Sequence, residues 1–181
     1  MSLFAGLMSD HAAISAALKA LEKICANCWQ GKEIDSDHLD KAVEFIEVFI
    51  NDYHHRKEEE LLEALEKSGI PVDGGELGTI SHEHLCLQPY IKGMREAAED
   101  YKRQPISGMY KFFINAREFG KIYVRHLEKE KNMLFPLAEW VLPPADQERL
   151  SKAFDRIAEE TGAERLEELR IAADRLKEAL A

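Results

Sequence analysis

Apolar residues recur every three or four positions along most of the chain. Phe4, Leu7, Ile14, Leu18 and Leu21 form one stripe, and Ile46, Ile50 and Leu62 a second. Leu77, Ile80, Leu87 and Ile91 form a third, and Phe112, Ala116, Phe119, Tyr123, Met133, Leu134 and Leu137 a fourth. Such spacing marks one face of an α-helix, and it predicts helices over about 3–29, 37–67, 76–103 and 107–141. The punctuation agrees. Gly31 follows the first helix and Asp35-Ser36-Asp37 offers N-caps to the second, which stops at Ser68-Gly69-Ile70-Pro71. The loop Val72-Asp73-Gly74-Gly75 opens the third, Gln104-Pro105-Ile106-Ser107 separates third from fourth, and Pro143-Pro144 ends the fourth. Pro89 lies inside the third and should bend it one turn past His84.

Two more helices are expected over about 145–160 and 163–180, parted at Thr161-Gly162. Leu166, Leu169, Ala173, Leu176 and Leu180 give the last a narrow apolar seam, which either packs along the outside of the bundle or dimerises. No period-2 strand and no Gly-rich phosphate loop is visible. The fold class is all-α, with residues 1–142 as a four-helix bundle and 143–181 as an extension of the same domain.

Polar residues interrupt the apolar stripes in a repeating way. His54 to Glu58 and His126 to Glu130 share the frame His-x-x-Lys-Glu, 72 residues apart. Asp10-His11 precedes the first copy by 43 residues and Glu83-His84 the second by 42. Helix residues four apart lie about 40° apart around the axis, so each frame aims its His and Glu the same way. His11, His54, Glu58, His84, His126 and Glu130 therefore occupy core positions of four helices. A lone histidine on an apolar stripe is ordinarily a satisfied core residue. Two copies of one frame, each with a matching upstream histidine, point instead to a shared site. Unpartnered buried carboxylates are costly, and a pair of divalent or trivalent cations removes the cost. Imidazole suits iron, zinc, copper or nickel, while carboxylates suit harder ions and can bridge two of them.

Composition narrows the setting. At 181 residues the chain is long enough for one domain with a substantial core. The net charge of −10 argues against nucleic acid or an anionic membrane as partner. No apolar run is long enough to span a bilayer. Met1 to Met8 lacks the basic region and cleavage site of a secretory signal. Three cysteines do not make a disulfide framework and suit a reducing cytoplasm.

The run Asn51 to Glu60 resembles the signature of hemerythrin-like, HHE cation-binding domains. So do Ile70-Pro71 through Gly78, Ser81-His82-Glu83-His84, and His126 through Glu130 with Leu134-Phe135-Pro136. The resemblance covers roughly residues 7 to 142. It implies an up-down four-helix bundle holding two iron ions in a non-haem di-iron centre, oxo- or hydroxo-bridged when oxidised, with other divalent ions compatible. It implies the ligand order His, His-x-x-x-Glu, His, His-x-x-x-Glu, which falls on the same six residues. The chain departs from the oxygen carriers of the family in two places. Gln88 stands where they place a second histidine four residues after the one on the third helix, and Glu130 follows the last histidine at four residues where they have Asp at five. One imidazole fewer would leave an open position at each iron, favouring reactivity over reversible carriage.

Other residues are second choices. His55 lies about 100° round from His54, with Asp52 and Glu59 on what should be the wetter side; His82 and His38 read as solvated. Tyr123 is either core or a donor beside the metals, and Lys57 and Lys129 should snorkel or pair with an outer Glu. Cys25-x-x-Cys28 closes a helix about 21 Å from His11, so buried thiols are the plainer reading and a redox-responsive pair the alternative. The expected function is binding or sensing of O2, peroxide or NO. The alternatives are a di-iron enzyme (peroxide consumption, ferroxidation or repair of iron centres) and a metal-stapled interaction module. A sensing role would need a homodimer or a protein partner in trans.

Overall fold

A computed structural model describes residues 3–71 and 74–179. They form six helices and no strand. Helix α1 spans Leu3–Trp29. Helix α2 runs over 36–67, α-helical in Ser36–Glu44 and His55–Lys67 and π-helical between, in Phe45–His54. Helix α3 is Gly75–Tyr101 and continues through Pro89 without a break. Helix α4 covers 105–141, with a π-helical turn at Glu130–Leu134 between Pro105–Lys129 and Phe135–Val141. Helices α5, Pro144–Thr161, and α6, Ala163–Ala179, follow. Val72, Asp73 and Leu180 lie outside the described residues.

Local chemistry sets the boundaries. The Asp35 side chain accepts a hydrogen bond from the Asp37 N–H at 3.0 Å and caps α2. At its far end Gly69 takes φ +85°, while Ile70 N–H reaches the Leu65 carbonyl and Gly69 N–H that of Glu66. That is a Schellman stop, which only a glycine adopts without strain. Pro105 opens α4 at its first turn, where its missing N–H costs nothing. A Cβ on Gly108 would sit 2.3 Å from the Tyr101 nitrogen, so the α3–α4 corner needs glycine there.

The core divides into two apolar clusters. One gathers Ile14, Leu21, Phe45, Phe49, Leu87, Met94, Phe112 and Phe119; the other gathers Phe4, Leu7, Leu61, Leu65, Leu77, Ile80, Leu134 and Ala138. Each of α1 to α4 crosses from one cluster to the other, and the order of crossing alternates, which makes the bundle up-down-up-down. The changeover falls at residues 10–11, 54–58, 84 and 126–130. A polar layer therefore crosses the dry interior at one height. Helix α5 adds Leu150 and Phe154 to the second cluster, and α6 adds Leu166, Leu169, Ala173 and Leu176 to the first.

Candidate metal centre

His54, Glu58, His126 and Glu130 are fully buried, and His11 and His84 nearly so. Glu58 sends Oε1 to 2.9 Å from His54 Nε2 and Oε2 to 3.1 Å from His84 Nε2. Glu130 sends Oε2 to 3.1 Å from His11 Nε2 and Oε1 to 2.6 Å from His126 Nε2. Each carboxylate thus spans the same two imidazole pairs, His11 with His54 and His84 with His126. Two groups of donors converge: His11, His54, Glu58 and Glu130, and beside it His55, Glu58, His84 and His126, with the atoms of each group within 4.8 Å of one another. Glu130 belongs to the first group, and its Oε1 also approaches His126 of the second.

The four Glu oxygens and the Nε2 atoms of His11 and His54 are buried with no properly directed hydrogen bond, despite these short distances. Lone pairs that face one another at about 3 Å are what cis donors to a common ion show, each being about 2.1 Å from it. Nitrogen and oxygen donors of this kind fit iron, manganese or zinc.

The hemerythrin HHE cation-binding domain model matches residues 2–138. The chain belongs to this family. No curated protein and no solved structure matches the chain at a significant level. In this HHE domain, as in the family's name, the binding of a cation is the property that the buried His/Glu clusters serve.

The recurring acids and lysines of the HHE sequence meet behind the donors. Asp10 Oδ2 lies 3.4 Å from His54 Nδ1 and also takes the Lys57 ammonium. Glu83 Oε2 lies 3.0 Å from His126 Nδ1, and its other oxygen takes the Lys129 ammonium. A carboxylate can only accept, so each Nδ1 carries the proton and Nε2 is left to face the centre. Burial alone would raise the Asp10 carboxyl. The His54 hydrogen bond and the Lys57 charge outweigh it and bring it down to about 2. Burial likewise pushes the His54 imidazole down, but Glu58 and Asp10 raise it to about 9. Glu58 is held well below the carboxylate range, its burial opposed chiefly by His54, and His126 well above the histidine range, its burial opposed chiefly by Glu130. In the metal-free chain protonated imidazoles take the place of cations, and metal entry has to displace those protons.

Three expectations change. His55 is not on a wet side: it is 2% exposed, stacks on the His84 ring at 3.8 Å and shares a 3.1 Å hydrogen bond with the Tyr123 hydroxyl. The winding into it is π-helical, closed by the His55 N–H to the Ile50 carbonyl, and α3 and α4 cover that side. A fifth imidazole thus stands with the second donor group, beyond the four that the spacing predicts. Its plane lies 11° from that of His84, against which it stacks. Its Nδ1 is buried without a hydrogen-bond partner, while Nε2 is engaged by the Tyr123 hydroxyl.

Lys57 does not snorkel; it is 3% exposed, over the Tyr53 ring at 3.9 Å. Tyr123 is both core and polar neighbour, fully buried, with burial and the nearby carboxylates raising its hydroxyl. His82 is exposed, bonded to Cys86, and Gln88 is exposed, bonded to Asn51; His38 stands in neither donor group. Burial pushes the Cys25 thiol up to about 12 and Cys28 to about 11, which leaves both inert near neutral pH.

Proposed function

We propose that the chain is a non-haem di-iron protein that binds or senses O2, peroxide or NO. The observation behind this reading is the double span of Glu58 and Glu130, each with one oxygen toward either imidazole pair. In it His11 and His54 would hold one ion, His84 and His126 the other, and Glu58 and Glu130 would serve both. Iron would supply a redox-active ion with a coordination position for a small ligand. The chain's own part is to hold Nε2 of His54 and His126 toward the centre, through Asp10 and Glu83, and to keep water out with two apolar layers. Three free cysteines suit a reducing cytoplasm, and no helix among the described residues is long and apolar enough to cross a membrane. The signal would pass to a second copy or another protein. The charge of −10 makes nucleic acid or an anionic bilayer a poor partner.

One observation favours an enzyme instead. The hydrogen bond between Tyr123 and His55 sets a proton-holding pair beside the donors. The test is to load the protein with ferrous iron anaerobically and add O2, peroxide or NO. Charge-transfer absorption that forms and is reversed by stripping supports binding or sensing. Sustained turnover of peroxide or ferrous iron supports an enzyme, and a protein isolated with silent, stoichiometric zinc supports a stapled module.

A further inference from the structure

The two halves of the polar layer differ in one respect that the shared frame does not explain. Asp10 Oδ2 serves His54 and Lys57, and its other oxygen, Oδ1, takes a guanidinium nitrogen of Arg170. Arg170 comes from α6, 160 residues away in the chain and beyond residues 2–138 matched by the family. Leu166, Leu169 and Ala173 bury α6 against the first cluster. The Arg170 guanidinium lies over the Phe49 ring at 4.7 Å and reaches the Ser9 carbonyl at 3.5 Å. It is therefore held by packing, by a ring face and by a carboxylate. Glu83, the counterpart in the other half, has His126 and Lys129 as its charged partners and, among the described residues, none from α5 or α6.

We propose that Arg170 is a positioning residue for one metal position of the two, the ion of His11 and His54, and acts through Asp10. The inference rests on the two-ion reading above. Asp10 orients the His54 ring only while its own carboxylate plane is fixed. Lys57 and His54 hold one oxygen, and Arg170 Nη2 holds the other. Without Arg170, Oδ1 is a buried acceptor with no donor, and Asp10 rotates to share Lys57 between its oxygens. The hold on His54 Nδ1 then loosens. Loss of such an outer partner costs roughly tenfold in metal affinity or more. The C-terminal extension thereby tunes one ion and leaves the other alone.

The test is a titration of the full-length, metal-free chain with cobalt(II), followed by its visible absorption against a competing chelator. Wild type should take two equivalents, and His11→Ala identifies the step that belongs to the His11–His54 position. Arg170→Gln should weaken that step about tenfold and leave the other unchanged. Arg170→Lys keeps the charge without the guanidinium and should weaken the same step less; it carries the test if Arg170→Gln does not fold. Arg165→Gln, on the same helix as Arg170, removes an exposed ion pair with Glu44 of α2 and should change neither step. An Arg170 variant that leaves the step unchanged or tightens it, or that weakens both steps alike, would overturn the proposal while the two-ion reading stands. A wild-type chain that takes up no second equivalent would overturn both.

Discussion

The same five-residue frame, His-x-x-Lys-Glu, is set in two different surroundings. In the first half the acid behind the histidine is sealed: Asp10 is 1% exposed and meets His54, Lys57 and Arg170. In the second, the Glu83 side chain keeps 19% of its surface in water and meets His126 and Lys129. Sequence alone makes the halves look equivalent. Water makes them unequal, because a charge pair removed from solvent is costly to break, whereas one at the surface is screened.

The largest effect belongs to what the halves share. Glu58→Ala should abolish both ions, since its two oxygens face different imidazole pairs; metal analysis of the purified variant checks this, and retention of one full equivalent would refute bridging. Next comes the contrast itself. Asp10→Ala strands buried Lys57 and should destabilise the metal-free chain by about 3 kcal/mol or more, while Glu83→Ala should cost about 1 kcal/mol. Urea melts of the two variants measure the difference, and equal losses would erase the distinction between sealed and open halves.

The pH dependence follows from the sealed half. His54 is raised from 6.5 to about 9, so its contribution to stability is fully present below pH 6.5 and lost as pH rises through about 9. Asp10 is lowered from 3.8 to about 2, so its contribution is present above pH 3.8 and lost as pH falls through about 2. His54 and Asp10 therefore contribute fully together only between pH 3.8 and 6.5, and the metal-free melting temperature should fall on the alkaline side as His54 loses its proton. Bound metal displaces the His54 proton, so the loaded protein should show a smaller alkaline fall. Smallest of all, Lys129→Met at the half-exposed pair should change stability by no more than about 1 kcal/mol. A similar result for Lys57→Met would show that burial does not separate the two lysines.

Much of this architecture is written in the chain. Four apolar stripes interrupted at one height by His and Glu reveal both the helices and the polar layer, because helical periodicity is a local property. The recurrence of Asp10-His11 and Glu83-His84 is equally visible, but the acids' partners are not, since they sit on neighbouring helices. His55 is misplaced by a reading that assumes α-helical winding throughout, and the π-helical stretch before it leaves no mark in the residue pattern. Arg170 is illegible for another reason. It reaches Asp10 across 160 residues, and on its own helix it is one more charge beside a leucine seam.

Iron K-edge X-ray absorption on the iron-loaded protein, with metal counted per chain, bears on the centre most directly. Two irons with a metal–metal scattering path at about 3.5 Å are expected from carboxylates that span both imidazole pairs. One iron per chain, or two with no metal–metal path, would contradict a bridged pair at the middle of this bundle.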